Sequence, residues 1–400
     1  MKVAICTTNF KNNLCEAISK NVVNLSVGIS TKYHTVLLIP GKIKSSIQLE
    51  RHLQIENYGK QRSYISKLRV LLNIIELSTF LKIRASEYAL IHFHVGNLIE
   101  LFFLWVFLPR MQAIKLVTVW QPYLGFFEFL SLPRLFKGFL IGVVHHYLVN
   151  TFLHLPLFCI GQKGFYKIIV SSNYQKRQLN RIVKESKVVV ISNGVEHPIP
   201  FEHERVNSDN KRLLYIGHAT AAKGIDVFLK ALSSICKEKD IDVSIALSDF
   251  RNYDIKKMTR YYGINGKVTI KGIVNVYKEM AVHDLLILPL KTSVGTTYYP
   301  NVLLECFASG LPVIASSLEV IKEIITNGKT GILVRPGNVR DLVEAINGVL
   351  SKEEENLKDM SLLQKQEFER KYTLEKYIFN HVLLYNSLLN KNKMTSFKML

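Results

Sequence analysis

The first 196 residues contain no aspartate. That half of the chain carries 24 Lys and Arg against 9 Glu, a net charge of +15, while the remainder carries 28 basic and 23 acidic residues. The natural partners of so basic a half are anions: phospholipid headgroups, a lipid phosphate or nucleic acid. No recognised nucleic-acid motif accompanies the charge, so nucleic acid is set aside. Cysteine is also scarce. Cys6, Cys15, Cys159, Cys236 and Cys306 form an odd, scattered set without a CxxC pair, which excludes a disulfide framework and a zinc ribbon and points to a reducing cytosol. No HxH, HExxH or EF-hand pattern offers a metal position. The one DxD, Asp240 to Asp242, opens a strand instead of following one, so no metal site is expected there. The opening MKVAICTTNF has no long hydrophobic region or cleavage site, so no secretory signal is expected.

Long apolar runs are few. Leu98 to Leu108 is shorter than the roughly 20 residues a bilayer span needs. Phe139 to Ile160 is long enough and uncharged, but a span there would break the sheet that the flanking strands should share. His146, Asn150 and His154 recur every four residues and give this run a polar stripe. That pattern suits a helix lying in a membrane surface, and the basic, amphipathic stretch Lys60 to Arg84 supports the same reading.

With 48% apolar and 21% charged residues the chain is globular, and 400 residues suit two domains. Short β-branched runs alternate with helical patterns: KVAICTT, HTVLLIP, YALIHFHV, AIKLVTVW, KIIVSS and KVVVIS first, then RLLYIG, VSIALS, KVTIKG, LLILPL, PVIAS and GILV. This is the rhythm of parallel sheets covered by helices. A polar, Pro-bearing stretch separates the two sets. The expected division is a Rossmann-like domain over 1–195, a linker over 196–212, a second Rossmann-like domain over 213–370 and a helical segment over 371–400 that crosses back to the first.

The densest signal runs from Tyr299 to Val334. Pro300 and Asn301 mark a helix start, Val302, Leu303 and Phe307 an apolar face, Ser309 and Gly310 a stop, and Pro312 leads into the strand VIAS. Glu305 then falls in the first turns, where the helix dipole favours a carboxylate whose two oxygens can hold two adjacent sugar hydroxyls. Earlier, RLLYIGHATAAKGIDVFLKAL reads as a strand, a small-residue loop and a helix, which offers backbone N–H groups and the Lys223 ammonium to a diphosphate.

These segments resemble the donor-binding signature of retaining glycosyltransferases of family 4, whose fold is GT-B: two Rossmann-like domains facing across a crevice. The resemblance implies a nucleotide-sugar donor (UDP- or GDP-sugar), transfer with retention of anomeric configuration, and no divalent metal or other cofactor. It assigns the diphosphate to Lys223 with His218, the ribose to Glu305, and the sugar to the loop Val294 to Thr297, including Gly295, Thr296 and Thr297. Asn301 and Val302 complete the donor-binding set. Asn193, Gly194 and Val195 match the family's Asn-Gly-Val at the linker, and Asp284 and Pro289 match a structural Asp and strand-closing Pro. The chain also departs from the pattern. Thr297 stands where the first of two Glu is usual, Tyr298 where Gly follows it, and His218 where Arg is usual; Thr7, Thr8, Asn9 and Phe10 replace a Gly-Gly loop, and Trp120 replaces a His near the transferred sugar. His94 is the nearest polar candidate for a catalytic place in the first domain.

The expectation is therefore a retaining glycosyltransferase acting on a glycan or lipid-linked acceptor in cell-envelope glycan synthesis, peripheral on the cytoplasmic face of a membrane. The missing Glu leaves two alternatives, a non-catalytic nucleotide-sugar-binding subunit and a GT-B nucleotide-sugar epimerase.

Overall fold

The computed structural model describes residues 1–8, 10, 17–41, 53–59, 66–121, 165–181, 183–199, 210–249, 254–292, 300–351 and 354–397. The stripe at His146, Asn150 and His154, the loop with Gly295, Thr296 and Thr297, and most of the expected linker lie outside the described residues. The chain divides into two compact units, one made of Met1–Asn193 with Glu375–Leu400, the other of Gly194–Leu374.

In the first unit β1 (Lys2–Thr7), β2 (His34–Pro40), β3 (Leu53–Gly59), β4 (Leu90–Asn97), β5 (Ile114–Gln121), β6 (Phe165–Val170) and β7 (Val188–Val190) form one parallel sheet in the order β3-β2-β1-β4-β5-β6-β7. The central strands are buried along nearly their whole length, which is why their sequences are continuous apolar runs without alternation. β3 was not expected. LQIENYG is half polar and buries only Leu53 and Tyr58, a composition that an edge strand tolerates. One face of the sheet packs Ala4, Val36, Phe93 and Val117 against Ile74, Leu77, Leu101 and Leu104 of the helices Ser66–Arg84 and Leu98–Phe107. The other face carries polar side chains and receives the helix Leu374–Phe397, whose Tyr385 hydroxyl bonds His92.

In the second unit β8 (Lys211–His218), β9 (Ile241–Asp249), β10 (Val268–Lys271), β11 (Leu285–Leu288), β12 (Val313–Ser316) and β13 (Ile332–Val334) form a second parallel sheet, ordered β10-β9-β8-β11-β12-β13. Its core gathers Leu213, Tyr215, Phe228, Leu232, Ile245, Ile287 and Ile346. Asp284 secures the start of β11 to β8: its carboxylate accepts from the Arg212 N–H at 2.8 Å and its own N–H donates to the Arg212 carbonyl at 2.9 Å. The two places where the chain passes between units are tied together. The Val195 N–H donates to the Tyr372 carbonyl and the Leu374 N–H to the Val195 carbonyl, each at 2.9 Å.

Candidate functional site

Strand order reverses between β8 and β11 in the second unit, and the carboxyl edge beside such a switch is where open parallel sheets bind ligands. Two segments begin there. After β8 the chain makes a short turn, Ala221–Lys223, and enters the helix Ile225–Ile235 through Gly224. Gly224 has φ +70°, and a Cβ on it would lie 1.8 Å from the Pro289 carbonyl oxygen at the end of β11. Glycine is required twice over, by a left-handed backbone and by the close approach. The two loops are joined further: the Lys291 N–H donates to the Ala222 carbonyl at 3.0 Å, and the Lys291 ammonium pairs with Asp226 in the first turn of the helix. Nothing in the sequence pointed to this clasp, because residues 65 positions apart leave no spacing signal.

Lys223 is held by that clasp. Burial pushes its ammonium down to about 8 from an ordinary 10.5, and among the described residues no hydrogen bond or ion pair reaches it. A half-buried cation with no counter-charge among the described residues, beside the N–H groups of a helix start, is built to receive an anion. His218 ends β8 close by, its Nδ1 3.1 Å from the Ser248 hydroxyl and its carbonyl accepting from the Tyr215 hydroxyl at 3.0 Å.

The second segment is the helix Asn301–Ser309, which follows β11. Pro300 precedes it and Gly310, at φ +68°, ends it, with Gly310 N–H donating to Phe307 O and Leu311 N–H to Cys306 O, both at 3.2 Å. Asn301 and Glu305 are buried, and Val302 is half-buried. Glu305 is the fifth residue of the helix, and no acidic residue stands in the first turn. The dipole argument made from the sequence is thereby weakened, since that field fades within one turn. What singles Glu305 out instead is burial at 5% exposure, a rare state for a carboxylate. Its charge, after burial itself, helps hold the Tyr277 phenol above its ordinary range. The Tyr277 hydroxyl donates to the Glu196 carbonyl. Asp240 pairs with Lys267 on the surface, and among the described residues no group of three His, Cys, Asp or Glu side chains is placed to hold a metal.

In the first unit the order reverses between β1 and β4. Thr7 pairs in register with His94. The Thr8 hydroxyl donates to Glu100 at 2.8 Å, the Gly96 N–H to the same oxygen at 2.8 Å, and the Asn97 amide to the other at 3.3 Å. Burial raises the Glu100 carboxyl above its usual range, against the lowering effect of these donors. The sequence reading passed over Glu100 inside an apolar run; the capping pattern Asn97-x-x-Glu100, with the Glu100 N–H bonded to Asn97 Oδ1 at 3.0 Å, was the available signal. His94 itself is 1% exposed, stacked on Trp120 at 5.8 Å, and burial lowers it to about 3.

Residues 210–352 match the family model of group 1 glycosyl transferases. An uncharacterised glycosyltransferase of Methanocaldococcus jannaschii is 31% identical over 189 residues, 42% of this chain and 46% of that protein. The match thus spans about half of that relative's length. Among solved structures, sucrose-phosphate synthase of Thermosynechococcus elongatus superposes with a TM-score of 0.77 at 16% identity, covering 98% of this chain and 99% of that one. The Anabaena protein HepE, solved with UDP and glucose, gives 0.70 at 13% identity over 97% and 100%. The architecture of this chain is GT-B, two parallel-sheet Rossmann-like units.

Proposed function

We propose that this chain is a glycosyltransferase that takes a sugar from a nucleotide-sugar donor bound at the carboxyl edge of the second sheet. The observation that carries the reading is Lys223, a half-buried ammonium at a helix start with no partner among the described residues, within the segment that matches the group 1 family model. Lys223 and the helix N–H groups would take the diphosphate, with His218 beside them. Glu305 would accept from the ribose hydroxyls. Val294 to Thr297, Asn301 and Val302 would line the sugar. Charge developing on the leaving diphosphate is stabilised by Lys223 and backbone N–H groups, so the reaction proceeds without a divalent metal. The departing phosphate oxygen takes the acceptor hydroxyl's proton and the anomeric configuration is retained; an inverted product anomer, seen by proton NMR, would overturn this step.

A lipid-linked or membrane-bound glycan acceptor follows from the basic first half and from its surface. The helices Ser66–Arg84 and Leu98–Phe107 leave Ile75, Ile83, Val106 and Phe107 exposed next to Lys82 and Arg110. Exposed apolar side chains with Lys82 and Arg110 close by in sequence suit an anionic bilayer face. Among the described residues no helix is long and apolar enough to cross a membrane. Thr297 favours one second reading, a sugar-nucleotide-binding subunit that partners an active transferase. The deciding experiment incubates the protein with a panel of nucleotide sugars and membrane extract. Labelled lipid supports the transferase. Binding without transfer supports the subunit, conversion of the nucleotide sugar without acceptor the epimerase, and binding unchanged in the Lys223→Ala, Glu305→Ala double variant refutes the donor site.

A further inference from the structure

Where the helix Leu374–Phe397 meets the first sheet, β4 and β5 present a polar patch within a face that also carries Val3, Ile5, Leu37 and Leu116. His92 and His94, two apart on β4, project to one side, as do Thr118 and Trp120 on β5. Tyr377, His381 and Tyr385, four apart on the helix, lie against them, and all seven side chains are buried. The His92 and His94 rings stand 4.2 Å apart, and the His92 and His381 rings 5.6 Å apart. His92 is satisfied at both nitrogens, by the Tyr385 hydroxyl at 2.5 Å and the Thr118 hydroxyl at 2.7 Å. The others are not. His381 donates from Nδ1 to the Tyr377 carbonyl at 2.8 Å, which fixes its neutral tautomer; among the described residues its Nε2, both nitrogens of His94, the Trp120 indole N–H and the Tyr377 hydroxyl lack partners.

A second proton on His94 or His381 would have nothing to bond among the described residues, and one on His92 only neutral hydroxyls; none of the three would face a counter-charge there. The ionisable groups facing them are one another, Tyr377 and Tyr385 of the helix, and Tyr33 behind Tyr385 at 6.1 Å. Thr118 and Trp120 are the β5 contribution and do not titrate. The helix Ala17–Ser30 meets the last helix where Gly28 abuts Ile378. Among the described residues no Asp, Glu, Lys or Arg acts on any of the three rings.

We propose that this layer is an acid-sensitive latch, in which three neutral imidazoles hold the helix Leu374–Phe397 on the first sheet and their protonation releases it. Burial lowers His94 to about 3 and His381 to about 4, with the bond to the Tyr377 carbonyl opposing in His381, and His92 falls well below 6.5. Released, each returns to about 6.5, so below that pH the released state binds more protons than the docked one. Docking is therefore at full strength above pH 6.5 and weakens as pH falls toward about 4. Each histidine contributes about a tenfold loss in the docking equilibrium per pH unit, and three together about a thousandfold.

Hydrogen exchange read by mass spectrometry on the full chain, corrected for the intrinsic pH dependence of exchange, tests this. Between pH 7 and 5 peptides from 374–397 should lose protection before those of β1, β4 and β5. His94→Phe should lower the pH slope of that opening by one proton, and His94→Phe with His381→Phe by two. Loss of protection in the strands first, or equal slopes in the wild type and the double variant, overturns the latch. Should the double variant not fold, His94→Gln gives the same comparison with a polar, non-titrating side chain.

Discussion

Binding of a nucleoside diphosphate should weaken as pH rises through 8, because of one lysine. Free, Lys223 titrates at about 8. The diphosphate is fully ionised above pH 7 and would bind the ammonium form. Between pH 7 and pH 9 the charged fraction of Lys223 falls from about nine-tenths to about one-tenth. The dissociation constant should rise about tenfold over that interval, ~1.4 kcal/mol. Isothermal titration of the full chain with UDP and with GDP, in half-unit pH steps and in two buffers of different ionisation enthalpy, reads both the affinity and the protons exchanged. Near pH 8 binding should take up about half a proton per site. Lys223→Met should bind weakly at every pH, with the slope gone. A dissociation constant that changes less than twofold between pH 7 and 9, or the same slope in Lys223→Met, would refute the reasoning.

The same lysine should be a burden to the empty protein. Its folded value lies below its unfolded one, so the fold binds fewer protons between about 8 and 10.5 and gains stability as pH rises through that window; Lys223→Met should therefore melt higher than wild type at pH 7, and calorimetry should show the gap closing by pH 10. Gly224→Ala forces a side chain into a left-handed backbone at roughly 1–2 kcal/mol and drives its Cβ against the Pro289 carbonyl at roughly 1–3 kcal/mol more, so the second unit should melt about 5 to 15 °C lower. Asp284→Ala strips the acceptor from the Arg212 N–H and should destabilise by about 1–2 kcal/mol in urea titration while UDP affinity stays within twofold. Glu305→Gln should weaken UDP at least about tenfold yet leave inorganic pyrophosphate binding unchanged, since only the ribose loses a charged acceptor and one of two accepting oxygens.

How legible these features were in the sequence followed from how local their causes are. The buried parallel strands announced themselves as unbroken apolar runs. The turn at Lys223 and Gly224 showed as well, because one glycine must satisfy both a backbone angle and a contact. β3 hid behind Gln54, Glu56 and Asn57, which an edge strand can turn to solvent. The Asp226–Lys291 clasp and the His92–Tyr385 bond join residues 65 and 293 positions apart, and no periodicity reports such pairs. His94 was singled out alone, although the alternation in Ile91-His92-Phe93-His94 already placed two imidazoles on one face. Their partners lay on the last helix, out of reach of any local pattern.

The first unit is discontinuous: its sheet comes from Met1–Asn193 and one of its covering helices from Glu375–Leu400. A ribosome therefore completes the whole second unit before it has made the last piece of the first. During that interval the face bearing His92, His94, Thr118 and Trp120 waits without its partner helix, open to water. Through the latter half of translation a nascent first unit would therefore keep a wettable patch within a face that is otherwise lined by Val3, Ile5, Leu37 and Leu116. The histidines and hydroxyls that look ill suited to a finished interior are well suited to an unfinished one.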